Sequence, residues 1–244
     1  IFVTGSVTEV ANEIREHQLF ITLKGDLSMK PKALILHSGG IDSTTCLLKA
    51  KKEGRDVFSL GIDFGQRHRI EIEYANIQCR RFSVSRKIIC LEWDNPSREI
   101  PTNRTIEEMR KSISPAFLPG RNSVFLAIAC AEAAGIGANE VWIGINAVDF
   151  SGYPDCRPDF IEAFRKMTRL AIPHGPKIRT PLLNMTKPQI ARLGYRLGLR
   201  QGDVCACYQP VLASKGIEAC GKCDACILHE YAWSEGLKQL GKGK

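Results

Sequence analysis

Ala33-Leu34-Ile35-Leu36-His37-Ser38-Gly39-Gly40-Ile41-Asp42-Ser43-Thr44-Thr45-Cys46-Leu47-Leu48 is the stretch whose reading decides the fold of this chain. An apolar run turns through two glycines into a helix-favouring one. A strand that enters a helix this way leaves several backbone N–H groups unpaired at the helix start. Those donors, with the positive end of the helix dipole, make an anion site suited to phosphate or pyrophosphate. Gly39 and Gly40 allow close backbone approach, and Ser38 and Ser43 add hydroxyl donors. Asp42 stands inside this site, where a bare carboxylate would repel phosphate. Its presence implies a magnesium ion bridging carboxylate and phosphate oxygens. Taken alone, the glycine pair is also compatible with a tight turn and nothing more.

Outward from that stretch, apolar strands alternate with amphipathic helices, the pattern of an α/β fold with a doubly wound parallel sheet. Strands are expected at 33–37, 57–63, 87–91 and 140–145, with helices at 43–53, 67–82 and 122–134 between them. Ligands gather at the carboxyl ends of such strands, which here means the segments 38–43, 63–68 and 144–157. Residues 1–28 read as an N-terminal extension, an expression remnant or an alternative start. An α/β domain is expected over 29–180 and a helical, metal-binding region over 181–244. Within that region the pattern gives a helix at 189–197, a glycine- and cysteine-rich stretch at 202–226 and a short helix near 227–240.

A chain of 244 residues suffices for one large domain and a small appendage. No apolar run approaches the length of a bilayer crossing, and the first residues lack the uncharged apolar core of a secretory signal. The net charge of +8 is dispersed, without interleaved aromatic residues. That distribution favours attraction for anionic small molecules over nucleic-acid binding. Ten cysteines in a chain with so large a core need no disulfide scaffold, and a reducing cytoplasm fits them.

Four of those cysteines are patterned for a metal. Cys220-Gly221-Lys222-Cys223-Asp224-Ala225-Cys226 gives C-x2-C-x2-C. Such knuckles hold thiolates on one side of a tight turn, and a fourth sulfur from a distant loop completes a tetrahedron around Zn²⁺. Cys205 and Cys207 both stand upstream as that fourth ligand, and an iron–sulfur cluster is the competing reading of the spacing. Four thiolates would close the coordination sphere, making the site structural rather than hydrolytic. Cys46, Cys79, Cys90, Cys130 and Cys156 are isolated and read mostly as small apolar residues.

In its strand-to-helix setting, Ser38-Gly39-Gly40-Ile41-Asp42-Ser43 resembles the pyrophosphate loop of the N-type ATP pyrophosphatases, which cleave ATP between the α and β phosphates. No Gly-Lys-Ser/Thr of a Walker loop follows it. Three further strings stand in order: Asp63-Phe64-Gly65-Gln66-Arg67-His68, Leu118-Pro119-Gly120-Arg121-Asn122, and Asp149-Phe150-Ser151-Gly152-Tyr153-Pro154-Asp155-Cys156-Arg157-Pro158. Together with the cysteine tail, the set is similar to the 7-cyano-7-deazaguanine synthase family, across about residues 32–226.

The resemblance implies an adenine nucleotide alpha hydrolase-like, Rossmann-like sheet with a C-terminal zinc-binding subdomain. It implies a cytoplasmic ligase of queuosine biosynthesis, in which 7-carboxy-7-deazaguanine is adenylated by ATP and attacked by ammonia to give an amide. A second ATP then turns the amide into a nitrile. Carried onto this chain, Ser38, Gly39, Gly40, Ile41, Asp42, Ser43 and Thr44 hold the ATP phosphates and Mg²⁺, with Asp63 and Gln66 near the nucleotide. Arg121 and Lys187 join Asp42 in catalysis by meeting phosphate charge or the substrate carboxylate. Arg121, Asn122, Asp149, Tyr153, Asp155 and Arg157 form the deazaguanine pocket, and Cys207, Cys220, Cys223 and Cys226 hold Zn²⁺. A homodimer is expected from the resemblance alone. From composition alone, Arg121 and Lys187 also read as solvated helix-start residues, and Tyr153-Pro154-Asp155 as a plain turn.

The chain departs from the family pattern in four ways: Ala206 stands where serine precedes the cysteine, His229 stands near an arginine position after the last one, and Cys205 and the N-terminal stretch are additional. They keep two alternatives open. One is a divergent homologue that adenylates the acid and passes it to another amine, even one on a protein. The other is a pyrophosphate-loop enzyme that modifies tRNA.

Overall fold

The computed structural model describes residues 30–66, 69–93, 99–146, 152–213 and 216–238. The expectations for 1–28, Arg67, His68 and Asp149, and the last residues of the helix near 227–240, fall outside the described residues. The chain divides into two compact units, Ile1–Pro31 and Lys32–Lys244, and the second carries the sheet.

β1 (Lys32–Leu36) sets the architecture. Ala33 and Ile35 enter one core cluster, while Leu34 and Leu36 enter the other. A strand buried on both faces reads as a continuous apolar run, and helices must cover both sides. β2 (Asp56–Asp63), β3 (Ser85–Cys90), β4 (Glu140–Ile143) and β5 (Lys177–Arg179) join it in a parallel five-stranded sheet of order β3-β2-β1-β4-β5. This is the doubly wound sheet the alternation predicts.

On the Ile35 face, α1 (Ile41–Lys52), α6 (Lys187–Arg196) and α7 (Asp224–Lys238) pack around Leu47, Leu182, Ile190 and Trp233, with the end of α2 (Ile70–Arg81) beside them. On the Leu34 face, α4 (Arg121–Gly135) and α5 (Pro158–Ala171) bring Leu126, Ala129, Ile161 and Phe164 against Leu60 and Val141. A short α3 (Ile106–Lys111), an antiparallel hairpin of β6 (Val211–Ala213) and β7 (Gly216–Glu218), and two 3-10 turns at Pro154–Cys156 and Gln201–Asp203 complete the described elements.

The strand order reverses between β1 and β4, so the loops leaving them diverge and open a crevice at their carboxyl ends. That crevice places the site.

The elements that the sequence predicts begin and end within three residues of expectation. α7 starts at Asp224 rather than near 227, which puts Cys226 in its first turn. α3, α5, β5, β6 and β7 have no counterpart in the sequence reading. Ile161, Phe164 and Thr168 of α5 are buried at helical spacing, but the preceding proline-rich string reads as a binding loop. β5 is three residues long, too short for a period of two to register.

Candidate active site

The loop from β1 to α1 is built by two glycines in different ways. Gly39 has φ +97°, and a Cβ there would overlap the Glu71 carbonyl and lie 2.9 Å from Ala75 N. Gly40 caps α1 in an extended conformation without a side-chain hydrogen bond, so its first-turn amides keep the anion-binding character described above. The hydroxyls are drawn into the loop. Ser43 Oγ lies 3.1 Å from Ser38 Oγ and donates to Gly40 O at 3.2 Å, and Thr44 Oγ1 donates to the same carbonyl at 2.7 Å.

From the other side Gly144, just past β4, presses on the start of α1. A Cβ there would lie 2.8 Å from both Asp42 C and Ser43 N, which are backbone atoms. Backbone cannot swing away as a side chain can, so Gly144→Ala must separate β4 from α1. Overpacking of this kind costs about 1–3 kcal/mol. Thermal unfolding of this variant should show Tm lower by roughly 5 °C, and an unchanged Tm would mean that the contact relaxes freely.

Beneath the loop lies a buried polar network that the sequence reading missed. His37, Thr44, Ser59 and Gln78 are each at most 2% exposed. Gln78 Nε2 donates to Gly39 O at 2.9 Å and to Asp203 O at 2.6 Å, which leaves its Oε1 to accept. His37 Nε2 stands 2.9 Å from that Oε1 and therefore carries the proton. His37 Nδ1 is then an acceptor, 3.0 Å from Ser59 Oγ, which itself accepts from Arg86 Nη1 at 2.7 Å. Arg86 Nη1 also donates to His37 O at 3.0 Å. Through Gln78 the network holds the Gly39 carbonyl from below.

Burial, reinforced by the Arg86 charge, lowers the His37 pKa from 6.5 to about 3. Between those values the unfolded imidazole binds a proton that the folded one refuses. Stability therefore rises with pH across this window and is lost as pH falls through it. From pH 7 to pH 5 the loss attributable to His37 should be about 2 kcal/mol. Urea unfolding of the parent and of His37→Gln at both pH values measures it, and an equal pH slope in the two proteins would sink the assignment.

Above the loop is a cavity of about 340 Å³. Ser38, Gly40, Ile41, Asp42 and Ser43 form its floor, and Gln66, Glu71, Arg121, Asn122, Tyr153, Lys187, Tyr208 and His229 are among its walls. The sequence-predicted pair Asp42 and Lys187 meet here. Thr186 and Gln189 form a capping box that fixes Lys187 as the first residue of α6, and Lys187 Nζ reaches Asp42 Oδ2 at 2.6 Å. Asp42 Oδ1 is buried without a hydrogen-bond partner. An orphaned carboxylate oxygen inside an anion site fits a magnesium ligand. The charge of Arg121 reaches Glu71, Tyr153 and Tyr208.

The remaining predicted residues divide. Gln66 lines the cavity, but its Oε1 also accepts from Phe64 N at 2.9 Å. Asp63 lies outside the lining, accepting from Gly65 N at 3.1 Å and pairing with Arg69 at 3.2 Å. Tyr153 lines the cavity with its ring stacked on Phe117, centroids 4.6 Å apart, and burial raises its phenol pKa. Asp155 is 6% exposed and lies outside the lining, where its Oδ2 accepts from Asn122 N at 3.1 Å at the start of α4. Arg157 is exposed, next to α5, and donates to Gly152 O at 3.3 Å. Thr44 lies in the network below. Glu71, Tyr208, His37, Gln78 and Arg86 went unread, because a polar residue carries no local mark of burial in the sequence. A larger groove of about 950 Å³, around Lys49, Arg165 and Arg179, shares no residue with this cavity.

The four cysteines Cys207, Cys220, Cys223 and Cys226 come together with all four Sγ atoms within 4.8 Å of one another. The Cys220–Cys226 and Cys223–Cys226 separations are 3.9 and 3.5 Å. A tetrahedral zinc thiolate site requires sulfurs about 3.8 Å apart, so the set could hold a metal such as zinc. Gly221 supplies the turn at φ +73°, and Cys207 Sγ accepts from Cys220 N at 3.2 Å and Gln209 N at 3.4 Å. Cys207, rather than Cys205, is the fourth member of this group.

Among the described residues no helix is long and apolar enough to cross a membrane. The chain is 55% identical over 206 residues to 7-cyano-7-deazaguanine synthase 2 of Rhodopseudomonas palustris (strain HaA2), covering 84% of this chain and 98% of that protein. It is 42% identical over 221 residues to 7-cyano-7-deazaguanine synthase of Cellvibrio japonicus (strain Ueda107), covering 87% and 95%. Among solved structures, a 4-thiouridine synthetase–RNA complex with bound ATP aligns at 18% identity and a TM-score of 0.48, over 84% of this chain and 53% of that one. The family model for queuosine biosynthesis protein QueC matches residues 32–237, and the chain belongs to the QueC family.

Proposed function

We propose that this protein is an AMP-forming carbon–nitrogen ligase that converts 7-carboxy-7-deazaguanine and ammonia into 7-cyano-7-deazaguanine at the expense of ATP. The observation that carries the reading is the meeting of the glycine loop with Asp42 and Lys187 in one cavity, in a chain 55% identical to a synthase of that name. A carboxylate oxygen is a poor leaving group, and transfer of AMP makes it a good one. Nucleophilic attack by that oxygen on a phosphate brings two anions together, so cations must screen them. Lys187 and Arg121 supply fixed positive charge, while Ser38, Ser43 and the first amides of α1 cradle the phosphates. Asp42 is the ligand for magnesium, which would neutralise phosphate charge. Asn122 and Tyr153 face the deazaguanine, with Gln66 near the nucleotide.

The cysteine cluster is assigned to a structural Zn²⁺, and ten cysteines without a disulfide among them suit a reducing cytoplasm. A homodimer is the assembly expected from the resemblance. Incubation with ATP, magnesium, the carboxy-deazaguanine and ¹⁵N-ammonium, followed by mass spectrometry, tests the reading. Loss of both carboxylate oxygens with one ¹⁵N retained supports it. An amide that accumulates, or an acyl group found on a protein amine, refutes it in favour of a divergent ligase.

A further inference from the structure

We propose that Glu71 is the proton acceptor that turns ammonium into the ammonia nucleophile beside the phosphate loop, a proposal that rests on the function given above. Acyl adenylate and ammonium give amide, AMP and two protons. The C–N bond forms with the nitrogen lone pair, and the C–O bond breaks with its electrons passing to the AMP phosphate. Ammonium has no lone pair near neutral pH, so one proton must leave before attack; the second leaves as the adduct collapses. The acceptor must line the cavity that holds the phosphate loop.

Among the described residues, the carboxylates lining the cavity are Asp42 and Glu71. Asp42 is held by Lys187 at 2.6 Å. His37 has both ring nitrogens in the buried network and refuses protons down to about pH 3. Burial raises the phenol pKa of Tyr153 and Tyr208, so the neutral hydroxyls are poor acceptors. His229 is a weaker base, its pKa lowered by burial.

Glu71 remains, and its placement suits the task. It is the second residue of α2, and its own carbonyl is what excludes a side chain at Gly39, so it projects from directly beside the phosphate turn. The titratable groups around it are Arg121 from α4, and Cys205 and Tyr208 from the segment before β6. Burial pushes its carboxyl up to about 8, against the pull of Arg121. A base poised there exchanges protons with ammonium far more readily than an ordinary carboxylate.

The test is Glu71→Gln in the full chain. In Glu71→Gln the first turnover should still give a burst of about one pyrophosphate per active site, and release beyond that burst should slow in step with amide formation. Amide formation from ammonium should fall about 10²-fold or more at pH 7, and recover as pH rises and free ammonia increases about tenfold per unit. Hydroxylamine is mostly unprotonated at neutral pH and should form the hydroxamate at close to the parent rate. An equal loss with hydroxylamine and ammonium overturns the assignment, as does an unimpaired variant. A parent protein that releases no pyrophosphate overturns the function and this role together, a result distinct from a defect seen in the variant alone.

Discussion

Asp42→Asn should reduce substrate-dependent pyrophosphate release by about 10²-fold or more, with little change in Tm. Removal of a preorganised group that meets developing charge typically costs roughly 10²–10³ in rate. Asp42 has two oxygens in different states. Oδ2 accepts from Lys187 at 2.6 Å, and Oδ1 is buried without a partner. The amide keeps the shape and can still accept at one position, but it removes the negative charge that a divalent cation needs. Lys187 then meets the phosphates without its counter-charge, so nucleotide affinity itself should change much less than turnover. The pair is partly exposed, with side chains 20% and 25% accessible, and contributes little to stability. Lys187→Met should be impaired for a different reason, the loss of fixed positive charge. Because the two residues share one ion pair, the double variant should be much less impaired than the product of the single effects. Steady-state pyrophosphate assays on the three variants decide the matter, and an Asp42→Asn enzyme with parental turnover removes Asp42 from the chemistry.

The contrast between Asp42 and Asp155 shows what a sequence makes legible. Asp42 lies within one short string whose strand, turn and helix are contiguous, so its surroundings are written beside it. Asp155 looks equally available as an acceptor for a base, yet its Oδ2 is taken by the Asn122 amide 33 residues away. The identity of a carboxylate's partner depends on which chain crosses it, and a local string does not hold that information. Lys187 is intermediate. Its partner is 145 residues distant, but the Thr186–Gln189 capping box marks it as a helix start, where a long cation can reach a neighbouring loop. Glu71 and Gln78 lie on α2 among Arg and Glu residues that face solvent, and only packing against Gly39 distinguishes them. The parallel sheet was readable for the opposite reason, since β1 and β4 are buried on both faces and every residue in them is constrained.

Cys223→Ser should remove the bound metal and lower Tm by roughly 10 °C, and turnover should fall with it. Cys223 is fully buried, and the segment around it does more than hold one sulfur. Thr102 bridges to Cys223, Asn103 N donates to Lys222 O at 2.7 Å, and Arg104 pairs with the buried Asp224 at 3.0 Å. The cysteine turn thereby joins residues 101–104 to the first turn of α7. That helix packs on α6, which carries Lys187, and contributes Ala225, Leu228, His229 and Ala232 to the cavity wall. Metal binding to structural four-ligand sites is worth about 10–16 kcal/mol in small peptides. Here the main sheet has its own core, so only a few kcal/mol of that should couple to global unfolding, and about 3–5 kcal/mol corresponds to a shift near 10 °C for a chain of this size. Cys90→Ser, at an exposed position on β3, is the control and should leave metal content and Tm unchanged. Metal analysis, thermal unfolding and turnover on both variants measure the three effects. If Cys223→Ser keeps a full complement of metal, or loses it without loss of stability, the cluster is not what anchors α7 against the site.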